Sequence, residues 1–164
     1  RRANGEGQAN PQTAPEASPA WEIRMGTAAD AACETTVSRV VQVVNEAYLD
    51  GEDGLWNDGM FSRTDRLEVQ GLLKGQKLLL AVAGSKIAGS LSIDVMAEDG
   101  VGEIGMLNVS RDFRRQGIAL GLIAAAEAQC LEKGCSRIRL HLLTPQQGTH
   151  PFKVMLDRWY TGLG

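Results

Sequence analysis

The order of elements along this sequence predicts a mixed α/β fold of the α+β kind, with a mostly antiparallel central sheet flanked by helices on both faces. Three observations carry that expectation. Three strand-like segments joined by tight-turn signals form a meander in the middle of the chain. Segments with helical spacing of apolar residues precede and follow the meander. A strand–helix–strand crossover then brings one more strand to the sheet.

Each element has a local reason. Trp21–Met25 alternates Trp, Ile and Met against Glu22 and Arg24, which predicts a short strand. Thr27 or Asp30 caps a helix running to about Leu49, with Val37, Val40, Val41, Val44 and Tyr48 at three- and four-residue spacing. Asp50–Gly59 is rich in Gly and Asp and reads as a loop. Thr64 or Asp65 caps a second helix, with Leu67, Leu72 and Leu73 apolar and Gly75 as its stop. Lys77–Ala83 and Lys86–Met96 are strands around the Gly84-Ser85 hairpin turn, and Ile87, Leu91, Ile93 and Val95 mark one face of the second. Asp99-Gly100 turns the chain into a third strand, Val101–Val109. Helical periodicity resumes from about Gln116 to Lys133 and stops at Gly134. Ser136–Leu143 alternates as a strand. Pro151–Tyr160 is a short helix opened by proline, with Phe152, Met155, Leu156 and Trp159 on one face.

Composition bounds the function. The chain has 164 residues, 43% hydrophobic and 23% charged, which is ordinary for one globular domain. A net charge of −3 argues against a dedicated nucleic-acid binder. No apolar run approaches the ~18 residues of a membrane span. Three cysteines, Cys33, Cys130 and Cys135, without a C-x-x-C pair argue against a disulfide framework and a zinc site. Reduced thiols predict an intracellular, cytoplasmic protein. Residues 1–20 hold three of the five prolines and no Val, Ile, Leu, Met or aromatic residue, so a disordered tail is expected there and a single domain over residues 21–164.

The chemistry concentrates in Glu103–Ala119. A strand runs into a polar turn holding Arg111, Arg114 and Arg115, then Gly117, then a helix start. A helix N-terminus presents unpaired N–H groups and the positive end of the dipole, both suited to phosphate. Gly117 permits close approach of a ligand to the backbone. Arg114 and Arg115 add charge-assisted donors. The segment reads either as a diphosphate site or as a basic turn before a helix. The P-loop ending Gly-Lys-Ser/Thr and the dinucleotide fingerprint G-x-G-x-x-G are both missing.

Arg114-Arg115-Gln116-Gly117-Ile118-Ala119 resembles R/Q-x-x-G-x-G/A, the acetyl-CoA signature of the GNAT superfamily of N-acetyltransferases. Leu107-Asn108-Val109 is similar to that family's pantetheine-reading strand. Trp159–Gly164 resembles its Y-x-x-L-G-F segment, cut before the aromatic. The resemblance covers residues 21–164. It implies a GNAT-like fold with C-terminal strands missing after Gly164, acetyl-CoA as co-substrate, no metal, and direct acyl transfer to a bound amine. It further implies that backbone N–H groups around Gln116, Gly117, Ile118 and Ala119 hold the pyrophosphate. Leu107 and Val109 would pair with pantetheine as if with an added strand. That requires the third strand to part from the strand at Ser136–Leu143. Gly105 then marks either a bulge or a packing position.

An alkylammonium is not nucleophilic, so a base must take a proton. Glu103 falls where histone-type members of the family place their catalytic Glu; the alternative is a solvent-facing strand carboxylate. Tyr160 occupies the family's usual general-acid position; the alternative is a core tyrosine beside Trp159. His141 with Arg139 reads as substrate-facing or structural. Tyr48, Trp56 and Phe61 line an acceptor pocket or pack the core. Cys130 and Cys135 read as buried thiols, not nucleophiles. The function expected is acetyl transfer to a primary amine, small-molecule or protein, without nucleic acid or membrane as partner. The alternative is a non-catalytic acyl-CoA-binding module of the same fold. A chain of this length leaves part of the acceptor wall to further sequence or to a partner subunit, as in a homodimer.

Overall fold

The computed structural model describes residues 20–53, 55 and 62–163. Residues 1–19 of the expected tail, Trp56, Phe61 and Gly164 lie outside the described residues. Five strands form one sheet in the order β1-β2-β3-β4-β5: β1 (Glu22–Met25), β2 (Leu78–Ala83), β3 (Lys86–Met96), β4 (Val101–Val109) and β5 (Arg137–Leu140). The first three pairings are antiparallel and β4 with β5 is parallel, as a helical crossover requires.

Two layers of helix cover the sheet. On one face α1 (Ala28–Ala32), α2 (Glu34–Gly51) and α3 (Arg66–Lys74) bury Val37, Val40, Val44, Val69 and Leu73 against Leu78, Leu80, Ile87 and Met106. On the other, α4 (Ile118–Glu132) buries Ile118, Leu122, Ala126 and Cys130 against Leu79, Ala81, Leu91, Ile93 and Ile104. β2 is buried on both faces, which is why Leu78–Ala81 is continuously apolar and not alternating. A last helix, α5 (Pro151–Leu163), packs Trp159 and Tyr160 against the α4 side.

The helix expected from Thr27 to Leu49 is two helices. Thr27 and Asp30 form a reciprocal capping box that opens α1, and Arg24 holds both Asp30 oxygens at 2.7 and 2.8 Å. Cys33 then adopts an extended conformation and breaks the run before α2. The strand expected over Ser136–Leu143 is shorter, Arg137–Leu140, and His141 lies just beyond it.

Two bulges reset the faces of the sheet. An extra residue at Ala88 puts Ile87 with the α2 layer while Leu91, Ile93 and Val95 face α4, so the four do not share one face. In β4, Ser90 pairs with Asn108 and Ser92 with Gly105, so Met106 and Leu107 together oppose Leu91 alone. Ile104 faces α4 and Met106, two residues on, faces α2. The left-handed backbone is at Met106, with φ 50°; Gly105 precedes the bulge and does not form it.

The α4 layer tolerates no extra atom at Gly102, where an added Cβ would lie 2.1 Å from Cys130 Sγ inside the core. Gly102→Ala is expected to cost about 1–3 kcal/mol and lower Tm by about 3–10 °C. Thermal unfolding followed by circular dichroism checks this, and an unchanged Tm would show that α4 sits farther from β4.

Candidate active site

β4 and β5 pair over only four positions, from Val101 with Arg137 to Ile104 with Leu140. Beyond them the two strands part. Ser110 donates its N–H to Ala88 of β3 at 2.8 Å. Backbone polar groups alternate sides along a strand, so Asn108 also faces β3 while Leu107 and Val109 turn theirs toward the gap.

The bulge that shapes this edge is held by one buried side chain. Asn108 is 4% exposed. Its Nδ2 donates to Met106 O at 2.7 Å, Ser90 Oγ at 2.7 Å and Ser90 O at 3.1 Å. It therefore ties the bulged residue to β3.

β4 leads into a single 3₁₀ turn, Arg111–Phe113, and then into α4. Arg115 and Gly117 both have positive φ, 63° and 80°. α4 starts at Gly117 with no side-chain cap and no acidic residue in its first turn. Among the described residues its leading N–H groups are thus unclaimed. A Cβ at Gly117 would meet only Trp21 Cζ2, at 3.9 Å, so the space before the helix is open. Trp21 braces the turn from β1's side by donating Nε1–H to Gln116 O at 3.1 Å. Ile118 is buried in the core, so only its backbone is free for a ligand. Arg114 donates to Asp50 Oδ2 at 2.9 Å, and Arg111 also pairs with Asp50. These two guanidiniums, Arg111 first, hold the Asp50 carboxyl below the usual carboxylate range. Arg115 is exposed and makes no ion pair among the described residues. Open space, unpaired donors and cationic side chains together fit a diphosphate.

A cavity of about 1530 Å³ runs through the gap. It reaches Ile118 and Leu120 on the α4 side and Tyr48 and Arg63 on the α2 side, with Glu103, Leu107, Val109 and Tyr160 along it. Glu103 Oε2 accepts from Arg139 Nε at 2.8 Å and lies 3.7 Å from His141 Nε2. Oε1 has no such contact among the described residues. Tyr160 packs on Trp159 with ring centroids 5.0 Å apart. Burial, with a smaller contribution from Tyr48, pushes its phenol up to about 12.

α5 is fastened at its start. Lys153 Nζ donates to Glu52 Oε1 at 2.9 Å, each side chain about 5% exposed, and His150 Nε2 lies 2.9 Å from Asp53 O. This clasp between α5 and the end of α2 sets where Tyr160 stands. Sequence reasoning missed it, as it missed Asp50 and Asn108; the partners lie 61 or more residues apart for Asp50 and 101 apart for the clasp. Cys130 and Cys135 are buried free thiols, and burial pushes the Cys130 thiol up, as suits core residues.

The profile of the Acetyltransferase (GNAT) family matches residues 41–153, more than half of the chain. This chain belongs to the GNAT acetyltransferase family. No curated protein matches it significantly by sequence. Among solved structures it is similar to an aminoglycoside acetyltransferase from an uncultured soil metagenomic sample, in complex with sisomicin. That likeness has TM-score 0.59 and 20% identity, over 86% of each chain. The diaminobutyrate acetyltransferase of Paenibacillus lautus, with L-2,4-diaminobutyric acid and coenzyme A, gives TM-score 0.61 and 16% identity, over 87% of this chain and 74% of that one. A GNAT-family acetyltransferase from Staphylococcus aureus Mu50 gives TM-score 0.63 and 12% identity, over 88% and 83%. At these identities the likeness shows the GNAT fold. Among the described residues no helix is long and apolar enough to cross a membrane, and no group of three metal-ligating side chains occurs.

The GNAT bulge should depend on Asn108. Asn108→Ala removes a buried donor shared by three acceptors and is expected to cost about 1–3 kcal/mol. Hydrogen exchange should show the amides of Met106–Val109 losing protection ahead of the rest of the sheet. Uniform protection in the variant would mean that the bulge holds without it.

Proposed function

We propose that this chain is an N-acetyltransferase that passes the acetyl group of acetyl-CoA to a primary amine by direct attack in a ternary complex. The observation that carries the reading is the gap between β4 and β5, edged by the backbones of Leu107 and Val109 and ending at the uncapped start of α4. Acetyl-CoA brings the activated thioester there, and everything else is done by the chain. Donors at Gln116–Ala119, with Arg114 and Arg115, hold the pyrophosphate. Leu107 and Val109 align the extended arm as an added strand. The Val109 N–H meets the acyl oxygen, where negative charge grows as the amine attacks.

Glu103 takes a proton from the attacking amine, directly or through water, most simply on Oε1. A carbon–nitrogen bond forms, the carbon–sulfur bond breaks, the sulfur leaves with the electron pair, and the second proton of the nitrogen passes to the departing thiolate or to water. Tyr160 meets that sulfur. With its phenol at about 12, Tyr160 keeps its proton at every working pH and is a standing hydrogen-bond donor to the thiolate. An ordinary thiol lies near ~8.5, so complete transfer from Tyr160 is uphill, and its contribution is the hydrogen bond itself. The amine substrates of the aminoglycoside and diaminobutyrate acetyltransferases with this fold support an amine acceptor here.

Gly117→Val places a branched side chain in front of the helix start, so acetyl-CoA affinity should fall at least about tenfold, near 1.4 kcal/mol. Isothermal titration on a variant with native circular dichroism measures it, and binding by the unaltered chain should weaken as salt rises. Unchanged affinity would remove the α4 start from the coenzyme site.

Tyr160→Phe keeps the ring and removes the donor, so turnover should drop on the order of 10–100-fold with coenzyme affinity little altered. Glu103→Gln should give a rate that climbs with pH as the free amine fraction grows, where the unaltered enzyme levels off. Thiol release measured across pH with one working acceptor reads both. Identical profiles for all three proteins would eliminate both roles. Coenzyme binding without turnover of any amine would favour a non-catalytic module.

A further inference from the structure

The acceptor end of the cavity carries a cation with no counter-charge among the described residues. Arg63 lines the cavity between α2 and α3, and its guanidinium lies over the Tyr48 ring, 5.3 Å from the centroid. Its backbone is stapled: Asn45 Oδ1 accepts the N–H groups of Arg63 at 2.8 Å and Thr64 at 3.0 Å, and Asn45 Nδ2 donates to Thr64 O at 3.0 Å. A guanidinium carries five N–H donors, so Arg63, which reaches the Tyr48 ring and its hydroxyl, keeps donors for a second partner, and a fixed backbone aims them. Arg63 makes no ion pair among the described residues.

Most acids around it are engaged; Glu68, which borders a smaller cavity beside Arg63, accepts from Thr64 Oγ1 at 2.8 Å. Asp50 pairs with Arg111 and Arg114, Glu52 with Lys153, and Glu103 with Arg139. Asp53, the remaining acid of the lining, is exposed. In the larger cavity a polycationic acceptor would meet carboxylates that are already ion-paired, the exposed Asp53 aside, and a guanidinium with no ion pair among the described residues. Arg63 and Glu103 also border a second, smaller cavity of about 230 Å³ beside Gly105 and Met106. One molecule in that space can place an amine at Glu103 and an anionic group at Arg63. The diphosphate donors are at the other mouth, on the α4 side, so Arg63 is not needed there.

We infer that the acceptor is a small amine that also carries a carboxylate, an amino-acid-type substrate whose carboxylate is held by Arg63 on the Tyr48 ring. The inference rests on the N-acetyltransferase reading above and narrows its acceptor. A planar guanidinium binds a carboxylate through two parallel hydrogen bonds, which a lysine cannot reproduce.

The test uses pairs of acceptors that differ only by the carboxylate: L-lysine with cadaverine, L-leucine with isoamylamine, and L-phenylalanine with phenethylamine. Thiol release from acetyl-CoA gives kcat/KM for the unaltered chain, Arg63→Met and Arg63→Lys. Rates are compared per unprotonated amine, because the carboxylate also changes the amine's own protonation. For the pairs that react, the carboxylated member should lead by at least about tenfold in the unaltered chain. That ratio should fall to within about threefold of one in Arg63→Met and be partly kept in Arg63→Lys. The Arg63 side chain lies outside the Asn45 staple, so the variants should fold, and acetyl-CoA titration is their control. A ratio near or below one in the unaltered chain overturns the inference. So does a ratio untouched by Arg63→Met, a loss of coenzyme affinity in Arg63→Met, or no reaction with any of the amines while acetyl-CoA binds normally. Failure of the unaltered chain to bind acetyl-CoA would instead bring down the N-acetyltransferase reading.

Discussion

The site depends on β4 leaving β5. The two strands share four paired positions and then diverge, so the backbone of Leu107 and Val109 is left without a strand neighbour on that side although β4 is an interior strand of the sheet. Two features produce the divergence. β5 ends at Leu140 and hands over to an irregular stretch containing Pro145 and Gly148. On the other side the bulge at Met106–Leu107 bends β4 and turns its register. A methionine at positive φ carries a backbone penalty of about 1–3 kcal/mol. Burial of Met106 in the α2 layer and the hydrogen bonds from Asn108 offset it.

The rest of the arrangement follows from where that gap opens. It passes through the sheet, so one cavity touches both helical layers and separates two kinds of chemistry. At the α4 mouth are unpaired N–H groups and arginines. At the α2 mouth are Tyr48, Arg63 and Glu103. Glu103 lies on the same strand as Leu107 and Val109, which fixes its distance from anything aligned along them. Tyr160 comes from α5, the element farthest along the described chain, and the buried Lys153–Glu52 pair is what ties α5 to α2. Removing one partner of such a pair strands the other charge, typically at 3–5 kcal/mol, so the clasp also has a large effect on where α5 rests.

Element order, the sheet's mixed character and the basic turn before α4 were legible because each is a local pattern: alternation, helical spacing, a glycine between arginines and an apolar run. The signature around Gly117 also carried the family. What escaped is non-local or breaks a period. Ile104 and Met106 are two residues apart, which strict alternation would put on one face, yet the bulge sends them to opposite layers; Ile87 and Leu91, expected on one face, are split in the same way. Gly105 drew attention as the permissive residue, whereas the left-handed conformation fell on Met106, which tertiary contacts force. Cys33 gives no breaker signal, and its extended conformation follows from packing α1 and α2 separately. Asp50 sits in a stretch that looked like loop, and only folding brings it to Arg111 and Arg114.

The central claim is that the edge of β4 at Leu107 and Val109 is a binding edge. Residue-resolved amide hydrogen exchange, with and without saturating acetyl-CoA, tests it most directly. Leu107 and Val109 should exchange freely in the unliganded protein and be strongly slowed by acetyl-CoA, while Asn108, facing β3, is protected in both states. Binding of acetyl-CoA that leaves the Leu107 and Val109 amides unprotected would contradict the account.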